Sequence, residues 1–278
     1  TELYNGSSWS NGPDNSFGYI FGFGGGSQDC LSQMGGYNGA SLACHELYDG
    51  STWSVAASLS QVRYSAAIGC LGGPSGSPSR YQQLAVGGTC SSPAATAATE
   101  FYDSGFPYFT GTYKCNLPDP GVTWAAGGAL AISRRSLGGA GTQNAALAFG
   151  GETPSASTST EEYGGSSWSA GGAMIISRDT IAGAGTQNAG LAFSGTPNQT
   201  STEEYNGSSW AGGGTLINGR YRGDGTGTQN AALSVGGAPG LTLTEEYNGT
   251  SWATGGALIA QNYDQATTGT QNAALNFG

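Results

Sequence analysis

One nine-residue phrase ending in tryptophan recurs along the chain, and self-similarity of this kind decides architecture before any single residue does. It reads TELYNGSSW at 1–9, HELYDGSTW at 45–53, TEEYGGSSW at 160–168, TEEYNGSSW at 202–210 and TEEYNGTSW at 244–252. A sixth copy starts TEFYDSG at 99–105 and reaches its tryptophan only at Trp124. Each tryptophan (Trp9, Trp53, Trp124, Trp168, Trp210, Trp252) therefore marks one repeat, with spacings of 44, 71, 44, 42 and 42 residues, the longest holding the interruption. A second phrase falls between them: GTQNAALAFGG at 141–151, GTQNAGLAFSG at 185–195, GTQNAALSVGG at 227–237 and GTQNAALNFG at 269–278, with YQQLAVGG at 81–88 as a looser copy.

These phrases read as short strands. Ala146, Ala148 and Gly150 alternate with Leu147 and Phe149. Asn5-Gly6, Asp49-Gly50, Asn206-Gly207 and Asn248-Gly249 fall between extended segments, and such pairs supply the positive φ angles of a two-residue type I′ hairpin turn. No helical 3.6-residue pattern of useful length is present. Each repeat then carries four strands, here lettered a to d: near 136–141, 144–150, 160–163, and 166–168 onward in the clearest copy. Four antiparallel strands in 42 to 44 residues make a propeller blade. The expected fold is all-β, a single six-bladed β-propeller over residues 1–278. Its blades fall near 16–53, 62–124, 132–168, 176–210, 218–252, and 263–278 joined to 1–9. The chain starts with strands c and d and ends with a and b, so its two ends complete one blade and leave no free sheet edge.

Composition narrows the function. Eighteen acidic against eight basic residues give a net charge of −10, so no basic surface exists to neutralise phosphates, and neither nucleic acid nor anionic membrane is an expected partner. Glycine at 51 positions would suit a linker, but 14 Tyr, 9 Phe and 6 Trp are foreign to disorder. No apolar run is long enough to span a membrane. Residues 1–20 lack the basic start and apolar core of a signal peptide, so any export signal is expected to have been removed or to lie outside the sequence.

The order Gly-Gly, Glu-x-Tyr, Trp, then Arg ten residues later (Arg63, Arg134, Arg178, Arg220, with Tyr19 and Asn262 standing in for it) resembles the kelch repeat. The two phrases together resemble kelch-type repeats of marine phage virion appendages and bacterial surface proteins. That resemblance implies a virion appendage such as a tail fibre, or an extracellular, cell-surface location. It also implies a non-enzymatic role as an adhesin, presenting loops to a receptor, a glycan or a neighbouring protein subunit. A secreted carbohydrate-active enzyme and a purely structural spacer are the other readings. Copper oxidases built on kelch-like propellers need several histidine ligands, whereas this chain has His45 alone. No cofactor, metal site or catalytic residue is expected: one histidine supports no Ser-His-Asp triad and no multi-histidine site. The six repeated carboxylates, Glu2, Glu46, Glu100, Glu161, Glu203 and Glu245, are expected to pair with the repeated arginines, because catalysis needs unlike groups converging at one point.

Two binding candidates remain, both on the face carrying the ab and cd turns. The first is the insertion 103–123, whose Phe106, Tyr108, Phe109 and Tyr113 form an aromatic loop. The second is a ring of turn amides, Gln143-Asn144, Gln187-Asn188, Gln229-Asn230 and Gln271-Asn272, expected near the mouth of the central channel. Five cysteines (Cys30, Cys44, Cys70, Cys90, Cys115) lack CxxC spacing. Cys44 and Cys90 share the bc face and form the expected disulfide, with one further pair among the rest.

Overall fold

The computed structural model describes residues 1–27, 30–71, 82–91, 94–103 and 125–278. It is an all-β ring of six four-stranded antiparallel sheets, and no helix in it is long and apolar enough to cross a membrane. Blade 3 is typical, with strands Gly138–Thr142, Ala145–Phe149, Thr160–Tyr163 and Trp168–Ala170 in spatial order. Blade 6 joins the chain ends: Glu2, Leu3 and Tyr4 pair with Asn276, Leu275 and Ala274. Innermost strands lie side by side around the axis, and Phe23–Ser27 touches both Ala67–Leu71 and Ala266–Thr270, which closes the ring. One element was not foreseen, a small hairpin of Thr89–Ser91 with Ala94–Ala95 in the bc connection of blade 2.

Packing explains the repeated phrases. Leu147 and Phe149 face blade 4, in a cluster with Ala192, Tyr205 and Trp210. Ala146 and Ala148 face the other way, toward Val86, Leu137 and Tyr163. Large side chains of one blade thus meet small ones of the next, and strand b is buried on both faces. In five blades Tyr and Trp form a cross-strand pair, as in Tyr163 opposite Trp168, with ring centroids 5.0 Å apart. Each of these five tryptophans then reaches the preceding blade: Trp210 lies 5.1 Å from Phe149, and its indole N–H donates to Thr160 Oγ1 at 2.9 Å.

The Asn-Gly turns differ from the expected two-residue type. Tyr4 pairs with Trp9, so four residues, 5–8, make the connection. Only Gly6 takes a positive φ, +91°. Asn5 instead keeps an ordinary backbone and accepts from the amides of Ser7 and Ser8 through Oδ1, each at 3.0 Å, the side-chain turn that Asn and Asp form readily. The two-residue turn is at Gln143-Asn144, between Thr142 and Ala145. Two residues before such a turn glycine is obligatory: Gly185 has φ +99°, and a Cβ there would sit 2.2 Å from the Ala189 carbonyl oxygen.

Candidate functional site

The repeated polar residues are consumed in holding the ring together. Arg178 is fully buried; its Nη1 donates to the carbonyls of Ser194 and Ser201 at 3.0 and 2.6 Å, and its Nη2 to Glu203 Oε1 at 2.8 Å. Glu203 Oε2 accepts in turn from the Ile175 amide at 2.7 Å. Arg134 with Glu161, Arg220 with Glu245 and Arg63 with Glu100 repeat the pair. Burial lowers the pKa values of Arg134, Arg178 and Arg220, and the facing glutamates oppose the shift. Where Arg is absent the glutamate still accepts backbone amides: Glu2 from Ile259 and Ala260, Glu46 from Ser16. The second glutamate of the phrase ties blades together, Tyr247 Oη donating to Glu204 Oε1 at 2.6 Å. Tyr4, bonded likewise to Glu246, has its phenol pushed up to about 12 by burial and by that carboxylate.

Three glutamines of the amide ring are also engaged between blades. Gln187 Nε2 donates to the carbonyls of Ala146 and Tyr163 at 3.0 and 2.7 Å, both in the preceding blade. Gln229 does the same to Gly190 and Tyr205, and Gln271 to Ala232 and Tyr247. Gln143 is buried. Each glutamine thus ties strands b and c of one blade to the ab turn of the next. Asn144, Asn188, Asn230 and Asn272 stay exposed beside the outer turns. Phe106, Tyr108, Phe109 and Tyr113 lie outside the described residues.

Cys44 is a free thiol donating to the Gly35 carbonyl at 3.3 Å, not a bridge to Cys90, whose side chain falls outside the described ones. Burial pushes that thiol up to about 11. His45 is buried in strand c of blade 1, where its Nδ1–H donates to Ala57 O at 2.9 Å and its Nε2 accepts from Ser32 Oγ at 2.7 Å. Burial holds its pKa down at about 4. Among the described residues no cluster of three or more His, Cys, Asp or Glu could hold a metal ion.

What breaks the repeat lies on the opposite face, where the chain crosses from strand d to the next strand a. Two residues after each buried arginine or its substitute, the backbone enters the left-handed region: Phe21, Ser65, Ser136, Thr180, Arg222 and Asp264 have φ of +57°, +52°, +53°, +51°, +57° and +60°. In a chain with 51 glycines, none stands at these six positions. Non-glycine residues held this way carry backbone strain, and strain of this sort collects at binding sites. Five inter-blade hydrogen bonds hold the hub. Phe21 N donates to Asp264 O, Ser65 N to Phe21 O, Ser136 N to Ser65 O, Thr180 N to Ser136 O and Asp264 N to Arg222 O, at 2.8 to 3.2 Å.

The hub surrounds a cavity of about 110 Å³. It shares Gly22, Leu137 and Gln265 with an axial channel of about 490 Å³ walled by the inner strands. Arg222 is the hub's cation. Its Nε donates to Asp264 Oδ1 at 2.6 Å and its Nη2 to Asp264 Oδ2. The guanidinium carbon lies 5.2 Å from the Phe21 ring and 5.1 Å from the Tyr263 ring. Burial raises the Asp264 pKa while Arg222 lowers it. Within the channel Asp224 accepts from Thr267 N at 2.6 Å, and desolvation raises its pKa to about 6. Around the hub the same face exposes Ile175, Ile217 and Ile259 at one repeat position, 55% to 61% exposed.

No protein-family model matches the chain, and no curated protein matches it.

Proposed function

We propose that the protein is a non-enzymatic binding propeller that meets its target with the hub face. One observation carries this reading: the six left-handed positions, alike in φ, hold residues of four chemical kinds and no glycine, and together they line a cavity on one face of the ring. A ring that needed only closure would place glycine or one residue type there. Variation imposed on a rigid, strained frame is what recognition of one asymmetric ligand requires.

The resemblance to kelch repeats extends this to a virion appendage or cell surface, where such a propeller would present its face to a receptor glycan or a neighbouring subunit. The repeated carboxylates support binding over hydrolysis, since four of them sit in buried ion pairs and are not poised as an acid and base pair. The test compares attachment to target cells or to the native assembly for two variants. Arg222→Gln at the hub should reduce attachment, whereas Asn188→Ala with Asn230→Ala on the opposite face should leave it unchanged. Turnover of a glycan abolished by changing a single carboxylate would instead identify an enzyme.

A further inference from the structure

The geometry points to a neutral hexose as the group the hub takes, an assignment that rests on the hub face being the binding face. Asp264 occupies Nε and one side of Nη2 of Arg222, so the pair is held rigidly and is neutral overall. Nη1 of Arg222 has no hydrogen-bond partner among the described residues, and the side chain is 30% exposed. Ser65 and Ser136, next to one another in the ring, are likewise without a side-chain partner there. Thr180 differs, its hydroxyl engaged with Thr196 Oγ1 at 2.7 Å. The cavity thus presents a fixed double donor and two hydroxyls that both donate and accept.

Vicinal sugar hydroxyls, each donor and acceptor at once, match that set. Tyr263, 48% exposed beside Arg222, offers an aromatic face for the apolar C–H side of the same ring. Charge argues against an acidic sugar. The Arg222 charge is already matched by Asp264, the Arg135 charge by Glu152 at 2.9 Å, and Asp179 and Asp224 add negative charge nearby. A mouth of about 110 Å³ is below the usual range for pockets that engulf a ligand, so it accepts one edge of a terminal sugar and leaves the rest of a glycan in solvent. Affinity for a single sugar should be on the order of 1 mM.

The test is saturation-transfer NMR and titration calorimetry with methyl glucosides, galactosides and mannosides, run beside glucuronate and galacturonate. At least one neutral hexoside should bind, about tenfold more weakly after Arg222→Gln and several-fold more weakly after Ser65→Ala with Ser136→Ala, a pair that leaves the Arg222–Asp264 bridge in place. An array then separates terminal from internal sugars, and terminal ones should bind. A uronate binding more tightly than its neutral counterpart would overturn the assignment. So would hexoside binding that survives both hub variants. If no hexoside binds in the millimolar range while attachment still falls with Arg222→Gln, the sugar assignment fails and the binding face stands. If attachment is also unchanged, both fail.

Discussion

Replacing Arg178 with methionine removes the donor from a site that offers no substitute. The side chain is fully buried and bonds two carbonyls and one carboxylate. Methionine fills much of the volume but leaves Glu203 facing the gap at 2% side-chain exposure. Breaking a buried pair by removing one partner costs about 3 to 5 kcal/mol, most of it from the stranded charge. The Ile175 amide still bonds Glu203 Oε2 at 2.7 Å, which places the expected loss near the lower end, about 3 kcal/mol. Adding Glu203→Gln should recover about 1 to 2 kcal/mol by neutralising that charge. Blade 6 supplies an internal control, since Glu2 has Asn262 in place of the arginine and Glu2→Gln should change stability by less than about 1 kcal/mol. Urea unfolding followed by tryptophan fluorescence reads all four proteins, provided the m-value is constant. A loss under about 1 kcal/mol for Arg178→Met, or no recovery in the double variant, would refute the view that these pairs hold the blades.

Three further outcomes follow from the same geometry. His45 is neutral when folded, with a pKa lowered from 6.5 to about 4, so the unfolded chain binds the extra proton. Its contribution is complete above pH 6.5 and is lost as pH falls toward 4, by up to about 3 kcal/mol. Asp224, raised from 3.8 to about 6, acts in the opposite sense, its penalty growing as pH rises through that window. Unfolding titrations of His45→Gln should lose the acid-side decline, and those of Asp224→Asn should show greater stability at pH 7. Gly185→Ala should cost more than about 2 kcal/mol, because its Cβ meets a carbonyl at 2.2 Å, whereas Ser136→Gly should be neutral or stabilise by about 1 kcal/mol by relieving left-handed strain; thermal melts of the two distinguish them. Gln187→Ala should cost about 1 to 3 kcal/mol by removing two inter-blade hydrogen bonds, and Asn188→Ala on the same turn less than about 0.5 kcal/mol.

The ring was legible because Trp, Tyr and the Gly-Gly doublet carry packing and turn geometry directly. Tyr163 and Trp168 must face each other wherever strands c and d pair, and that spacing survives in every clear copy. Turn detail was less legible. Asn-Gly suits two distinct turns, and the Ser-Ser or Ser-Thr after it, which donates to Asn Oδ1, selects the four-residue form. The bonds of the Gln side chains were not legible, because sequence gives no sign of a contact with a neighbouring repeat. The hub was missed because the left-handed region is normally announced by glycine, and here Phe21, Ser65, Ser136, Thr180, Arg222 and Asp264 adopt it without one. A signal was present in the eleventh to thirteenth residues after each tryptophan, which change character from repeat to repeat although the arginine just before them is kept in four of the six.

Hydrogen–deuterium exchange of the protein with and without its best-binding glycan locates the contact face most directly. Slower exchange should be confined to residues 19–22, 63–66, 134–137, 178–181, 220–223 and 262–265. Protection confined instead to the ab turns at 142–145, 186–189, 228–231 and 270–273 would contradict the account.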